Sequence, residues 1–315
     1  MSCATRRAEA SRLRRTAVGL VLMALAPHFP TADAQQPAAR ISGTLTALHV
    51  DHPGDRESPG RIVVGTQSIV VPAGVAIEFP GVTMTLQELF TYAPAACRAR
   101  QESGLLPTDK CRKPSPTDSA AAWTAERDET PRSYLDPEPT DEPPPTTARV
   151  TAATDERGNR VATRVTLTRN DTSVSGAVTY VSPDEGYIRI NGALGLDDGG
   201  ALLRINDPEA RQSMQIGRGC GEEGNCSPDS RFRINGSNPS VRFADGYLAC
   251  VPSRMNGACL PESRPARTPL DANAALPLLK GDHVTARGGF EVHGGARVFW
   301  AHTLMVQTSP GTGRP

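Results

Sequence analysis

The chain has 315 residues, of which 34 are basic and 34 acidic, so its formal net charge at pH 7 is zero. A neutral chain with no long basic run beyond its first residues lacks the electrostatic basis for capturing nucleic acid, and we expect no nucleic-acid partner. Glycine and proline are frequent, with 29 and 28 residues, and aromatic residues make up only 4% of the chain. This composition favours turn-rich β-structure over long helices.

Residues 1–34 have the pattern of an export signal. Five arginines precede the apolar stretch TAVGLVLMALAP, and Ala32-Asp33-Ala34 ends in the small-x-small pattern of a cleavage site. The apolar stretch is shorter than the roughly 20 residues that a membrane span needs. We therefore expect an exported protein, periplasmic or extracellular, with no transmembrane segment in the mature chain. An uncleaved N-terminal anchor is the alternative.

The first half of the mature chain reads as a series of short strands. RISGTLTALHV, which begins at Arg40, alternates apolar and polar residues, and RIVVGTQSIVVP predicts two more strands that turn near Gly65. TLQELF (85–90) has a threonine three residues before a glutamate, which indicates one or two helical turns with a capping box. Residues 148–153 and 160–168 predict a hairpin around the turn DERGN.

A segment rich in proline, aspartate and glutamate interrupts this first half. Residues 113–147 contain too little apolar surface to repay the entropy of ordering, so we expect a disordered insertion. The last residues, 309–315, are expected to form a disordered tail.

The second half repeats features of the first. SGTLTAL (42–48) and SGAVTYV (175–181) lie 133 positions apart, and Val150-Thr151-Ala152 matches Val284-Thr285-Ala286 at an offset of 134. Nearly equal offsets at both ends of a long segment predict a duplicated module. We expect one domain over 40–170 and a second over 171–308, and we expect residues 35–170 to fold alone.

The repeated phrases resemble the DUF5666-like, OB-type β-barrel modules of exported bacterial proteins. In the second copy the phrases are SGAVTYV, GYIRING, LLKGDHVTARGGF and RVFWAHTLMV; the first copy has SGTLTAL, GRIVVG and VTAATDERGNRVATRV. The resemblance implies a five-stranded Greek-key barrel in each copy. Together with the helical turns predicted at 85–90, we expect an all-β fold with one or two short helices, built as two tandem OB-like barrels. It implies no established chemistry.

Six cysteines remain after the predicted signal. An even number in an exported chain indicates disulfides, and the spacing suggests three local pairs: Cys97–Cys111, Cys220–Cys226 and Cys250–Cys259. Metal binding is the alternative, since CGEEGNC places two carboxylates between two thiols. Its spacing differs from that of a zinc knuckle, and we expect neither a metal nor a cofactor.

Four aromatic residues in the second half are the candidate binding residues. Tyr180 and Tyr187 lie in its first hairpin, and Phe299 and Trp300 lie in its last. The OB-type resemblance implies that aromatic residues on the outer strand face stack on sugars or bases. Because Phe299 and Trp300 are adjacent, they point to opposite faces. Burial inside a barrel, or between the barrels, is the alternative.

The histidines are weaker candidates for a metal or acid–base site. His293 and His302 could meet across the last hairpin, and His283 precedes them. No metal-binding spacing, serine nucleophile elbow or phosphate-binding loop accompanies them. Solvent-facing strand and turn histidines are the alternative.

The sequence thus predicts an exported, non-enzymatic binding or envelope-associated protein. A polysaccharide or a protein partner is the expected ligand, and the oligomeric state is left open. One alternative is a metal-dependent or hydrolytic enzyme with a site between the barrels, and another is a structural spacer of the envelope.

Overall fold

The computed structural model describes residues 38–112, 145–169, 172–220, 226–233, 240–254, 259–260, 264, 275–293 and 296–307. The predicted signal (1–34), residues 113–144 of the predicted insertion and the predicted tail (309–315) lie outside the described residues. Within the described ranges, no helix is both long enough and apolar enough to cross a membrane.

The first half of the chain forms a closed five-stranded barrel. In chain order its described elements are β1 (Ala39–Val50), β2 (Gly60–Val64), β3 (Gln67–Val71), β4 (Ile77–Glu78), β5 (Thr83–Met84), α1 (Glu88–Thr91), α2 (Ala95–Arg98), β6 (Thr146–Thr154) and β7 (Arg160–Arg169). The sheet order is β3-β2-β1-β6-β7, and β3 closes the barrel by pairing in parallel with β7 at Val70 and Val161.

The second half repeats this arrangement. Its described strands are β8 (Thr172–Ser182), β9 (Tyr187–Ile190), β10 (Ala201–Ile205), β11 (Val241–Phe243), β12 (Ala249–Cys250), β13 (Leu276–Pro277), β14 (His283–His293) and β15 (Ala296–Val306). The order β10-β9-β8-β14-β15 is closed by parallel pairing of β10 with β15. The predicted class, all-β with two tandem OB-like barrels and short helices, is confirmed.

The repeated threonine of SGTLTAL and SGAVTYV marks a β-bulge in both barrels. Thr46 is the extra residue between Leu45 and Ala47, and Thr179 is the extra residue of β8. The Thr46 hydroxyl lies 3.0 Å from the Gly65 carbonyl oxygen and 3.3 Å from that of Val63, and the Thr179 hydroxyl donates to the Arg189 carbonyl at 3.3 Å. A bulge bends and twists its strand, which helps to close a small barrel. The repeated phrase therefore encodes barrel curvature.

Strand pairing corrects one of the two predicted offsets. Gly43 pairs with Ala148 in the first barrel, and Gly176 pairs with Val284 in the second. The offset of 133 therefore holds for β1 and β8, whereas the equivalent residues of β6 and β14 are 136 apart. The predicted match of Val150-Thr151-Ala152 with Val284-Thr285-Ala286 is wrong by two residues. A shift of two keeps every side chain on its own face, so the hydrophobic pattern alone does not detect it.

Two local predictions from the sequence are confirmed. The Glu88 backbone N–H donates to the Thr85 hydroxyl at 3.3 Å, and the Thr85 N–H donates to the Glu88 carboxylate at 3.0 Å, which is the reciprocal capping box before α1. The cysteines form the three expected disulfides: Cys97–Cys111, Cys220–Cys226 and Cys250–Cys259.

A segment of the second half packs into the first barrel. We call residues 226–233 the docking segment; it contains a 3-10 turn over Ser230–Phe232. Phe232 belongs to the core cluster of the first barrel, and its ring meets that of Phe79 edge-on at 5.0 Å. The first barrel thus takes a core side chain from outside residues 35–170, and a fragment ending at 170 would leave this part of the core open.

Candidate functional site

The outer face of the second barrel carries a small apolar cluster of its own. Leu203 and Phe299 point into the barrel core, whereas their neighbours Leu202 and Trp300 point outward. The outward pair packs with Tyr187, Cys220, Cys226, Ala296 and Val298. The chain that follows β10 therefore covers this outer face and shields it from solvent.

Arg204 fixes that connection. Its guanidinium is fully buried and donates to the carbonyl oxygens of Glu185, Met214, Ile216 and Arg218. Burial lowers the pKa of Arg204 to about 10, although Glu185 partly opposes the shift. We call residues 212–220 the covering loop, because Arg204 holds its main chain over the outer face of the second barrel.

Asp197 ties a second loop to the same face. Its carboxylate accepts hydrogen bonds from the Tyr187 hydroxyl at 2.6 Å, from Arg189 Nε at 2.5 Å and from Arg218 Nη1 at 3.1 Å. Partial burial alone would raise the pKa of Asp197, but the hydrogen bonds from Arg189 and Tyr187 hold it below its usual value. Tyr187, a predicted binding residue, is thus buried within this network.

A cleft lies between the docking segment and the β14–β15 hairpin, beside the end of β7. It encloses about 330 Å³, including space open to solvent. Its lining residues come from both barrels and from the docking segment: Arg169, Asn206, Pro228, Asp229, Phe232, Gly288, Gly289, Glu291, Trp300 and His302.

Three lining residues carry polar atoms with no hydrogen-bond partner among the described residues. These atoms are Asn206 Oδ1, Arg169 Nε and Trp300 Nε1. Asn206 and Trp300 are only 3% and 4% exposed. Unpaired polar atoms at such burial are costly and uncommon, so a group that pairs with them in the cleft would be held strongly.

The side-chain amide nitrogen of Asn206 is fully hydrogen-bonded. Its Nδ2 donates to the main-chain carbonyls of Asp229 at 3.0 Å and Phe232 at 2.9 Å. These two bonds fix both ends of the 3-10 turn and orient the side chain. Asn206 therefore joins the second barrel to the docking segment, and its Oδ1 has no hydrogen-bond partner among the described residues.

A buried ion cluster forms the wall of the cleft nearest the first barrel. Arg231 donates to both carboxylate oxygens of Asp229, at 2.9 and 2.8 Å, and Arg169 Nη2 lies 3.2 Å from Asp229 Oδ2. Burial would raise the pKa of Asp229, but the charges of Arg231 and Arg169 hold it below its usual value. Asp229 is therefore ionised and engaged by both arginines.

The arginines of this cluster also bind the main chain of the first barrel. Arg231 Nη1 donates to the Leu89 carbonyl at 2.5 Å, and Arg169 Nη2 donates to the Gly104 carbonyl at 2.6 Å. The Arg169 guanidinium lies 4.7 Å from the centre of the Phe232 ring. The wall is thus fixed by contacts that cross between the two halves of the chain.

A second β-bulge places His302 beside the cleft. It is the extra residue of β15, opposite the step from Arg287 to Gly288 in β14. A Cβ atom at Gly288 would lie 1.9 Å from the Trp300 carbonyl oxygen, so this position requires glycine. Bulges of this kind re-aim side chains and are frequent next to functional sites.

The equivalent position in the first barrel provides an internal comparison. By strand pairing, Val161 of β7 corresponds to Trp300, and the bulged Thr163 corresponds to His302. Thr163 is exposed, and its hydroxyl donates to the Thr151 carbonyl at 3.1 Å. The indole and the imidazole are therefore specific to the second barrel.

The predicted binding aromatics occupy different environments. Phe299 is fully buried in the barrel core and meets Phe290 edge-on, whereas Tyr180 is partly exposed beside Tyr187. Trp300 is the member of the set that lines the cleft.

The predicted histidine site is divided by the fold. His302 lines the cleft, while the His293 ring meets that of Trp300 edge-on at 5.9 Å. Burial, with a smaller effect of Arg204, lowers the pKa of His293, so this imidazole is neutral at pH 7. His283 begins β14 and pairs with Ala177 across the sheet. In the described part of the chain, no three His, Cys, Asp or Glu side chains are grouped so that they could hold a metal ion.

Sequence reasoning missed Arg169, Asn206, Asp229 and Arg231. Each stands in a stretch that reads as ordinary strand or loop, and only the packing of the docking segment brings them together. Comparisons of the chain with protein-family models, curated proteins and solved structures gave no match. The DUF5666-like resemblance therefore stays a prediction.

Proposed function

We propose that this chain is an exported, non-enzymatic binding protein that holds a polysaccharide in the cleft between its barrels. The observation that carries the proposal is the set of unpaired polar atoms on buried lining residues, Asn206 Oδ1 and Trp300 Nε1. A hydroxyl- or amide-bearing ligand would satisfy both the acceptor and the donor. The predicted export signal, and three disulfides compatible with an oxidising environment, support an envelope location.

The dimensions of the cleft favour a polysaccharide over a protein partner. A stable protein interface buries about 800 Å² on each side, which a narrow cleft does not offer. A single sugar substituent suits a narrow cleft with an indole in its wall. Sugars present the hydroxyl and amide groups that the lining residues can pair with.

Binding is favoured over hydrolysis by the state of Asp229. Acid–base catalysis by a carboxyl group needs a pKa near the working pH, whereas two arginines hold this pKa below its usual value. The predicted enzyme alternative keeps one supporting observation, which is that His302 and Glu291 both line the cleft.

Tryptophan fluorescence tests the proposal. The sequence contains two tryptophans, Trp123 and Trp300, so Trp123→Phe leaves the cleft indole as the sole emitter. We expect a saturable change in its emission when β-1,4-linked oligosaccharides are added, because the ligand alters the surroundings of a buried indole. The Trp300→Phe protein, which retains Trp123, should give no such change.

Two outcomes would contradict the proposal. Unaltered emission over the whole range of sugars would show that the cleft is not a sugar site. Release of new reducing ends from the sugars, lost in His302→Gln, would identify the protein as a hydrolase instead.

A further inference from the structure

We propose that the cleft takes the acetamido group of an N-acetylated amino sugar. This inference rests on the proposed binding function and names the part of the ligand that the cleft recognises. It is carried by the hydrogen-bonding capacity of the lining, by its charge and by its apolar walls.

The hydrogen-bonding capacity fits a secondary amide. Two of the unpaired atoms are donors, Trp300 Nε1–H and Arg169 Nε–H, and one is an acceptor, Asn206 Oδ1. An amide carbonyl accepts two hydrogen bonds, and the amide N–H donates one. The acetamido group therefore offers complementary partners for all three atoms.

The charges around the cleft favour a neutral group. Arg169 and Arg231 face Asp229, and Glu291 lies close enough to raise the pKa of Arg169 against the larger lowering effect of burial. An anionic substituent would meet the Asp229 and Glu291 carboxylates, and an ammonium group would meet Arg169. Because an unpaired charge is costly to bury, a neutral polar group is preferred over either.

The apolar walls favour an acetamido group over a hydroxyl group. Pro228, Phe232 and Trp300 line the cleft together with the polar residues. The acetamido methyl group can pack against these side chains, and burying one methyl raises the affinity about fourfold. A hydroxyl group can make the hydrogen bonds but has no carbon to bury there.

The first barrel lacks this combination. Val161 and Thr163 occupy the positions of Trp300 and His302, and Val70 occupies that of Arg204. Within the described residues, the two barrels therefore supply one acetamido site and not two. Binding should be one-to-one.

Three trisaccharides with one backbone test the inference on the full-length wild-type protein. N,N′,N″-triacetylchitotriose, the glucosamine trimer and cellotriose carry an acetamido, an ammonium and a hydroxyl group at the same ring position. Isothermal titration calorimetry should give one site per chain for triacetylchitotriose. Its affinity should exceed that of cellotriose about fourfold, because only the acetamido group buries a methyl, and that of the glucosamine trimer about tenfold or more, because the ammonium group brings an unmatched charge.

The outcomes separate this inference from the proposed function. Equal affinity for triacetylchitotriose and cellotriose would overturn the acetamido inference while leaving sugar binding in place. Failure of all three sugars to bind would overturn both.

A matched pair of variants locates the binding energy. Trp300→Phe removes the indole N–H and should lower the affinity for triacetylchitotriose about tenfold, whereas Trp123→Phe should leave it unchanged. Melting curves of both variants check folding. If Trp300→Phe melts like the wild type and binds the sugar equally well, the cleft is not the acetamido site.

Discussion

Replacing Arg231 with alanine is expected to lower the free energy of unfolding by about 3–5 kcal/mol. The substitution removes both hydrogen bonds to the Asp229 carboxylate and the bond to the Leu89 carbonyl. Asp229, only 3% exposed, would keep Arg169 as its remaining cationic partner. Chemical denaturation followed by circular dichroism measures the change.

Arg254→Ala is the matched control. Arg254 pairs with Asp184 at 3.1 Å, and both side chains are more than 60% exposed. An exposed pair at a comparable distance contributes less than about 1 kcal/mol, because water solvates both partners when they separate. Equal losses in the two variants would mean that the docking segment is not anchored by a buried ion cluster.

Replacing Phe232 with alanine is the second substitution with a large expected effect, about 3–5 kcal/mol. The side chain fills the core of the first barrel against Phe79, although it comes from the second half of the chain. Without the Phe232 side chain the two barrels should also unfold separately, because this side chain couples them in the wild type. Differential scanning calorimetry should show a broadened or divided transition.

Phe290→Ala is the control for this variant. Phe290 is partly exposed and packs against Phe299 within the second barrel, so its loss should cost less and leave the first barrel unaffected. A Phe232→Ala protein that melts in a single wild-type-like transition would show that the first barrel does not depend on the docking segment.

The barrels could be predicted from the sequence because their signals are local. Alternation of apolar residues marks the strands, Thr85 and Glu88 mark the helix start, and the nearest cysteines pair. The repeated threonines predicted a repeated module but not their role as bulges. Their hydroxyls act on the neighbouring strand, and the neighbour is known only from the fold.

The cleft could not be predicted because its residues meet through non-local packing. Arg231 and Leu89 are 142 positions apart, and nothing in the pattern around either residue indicates the other. The sequence predicted that Phe299 and Trp300, being adjacent, point to opposite faces of their strand. The burial of Trp300 depends on the covering loop, which is positioned by Arg204 through main-chain carbonyls that carry no sequence signal.

The indole N–H of Trp300 reports directly on whether a sugar binds in the cleft. In a ¹H–¹⁵N correlation spectrum the two tryptophans give two indole cross-peaks, and Trp123→Phe assigns them. Because Trp300 Nε1 has no acceptor among the described residues, we expect triacetylchitotriose to shift its cross-peak downfield as a hydrogen bond forms, with Trp123 unchanged. If the sugar binds but the Trp300 cross-peak stays in place, the ligand site lies elsewhere and the cleft is not the binding site.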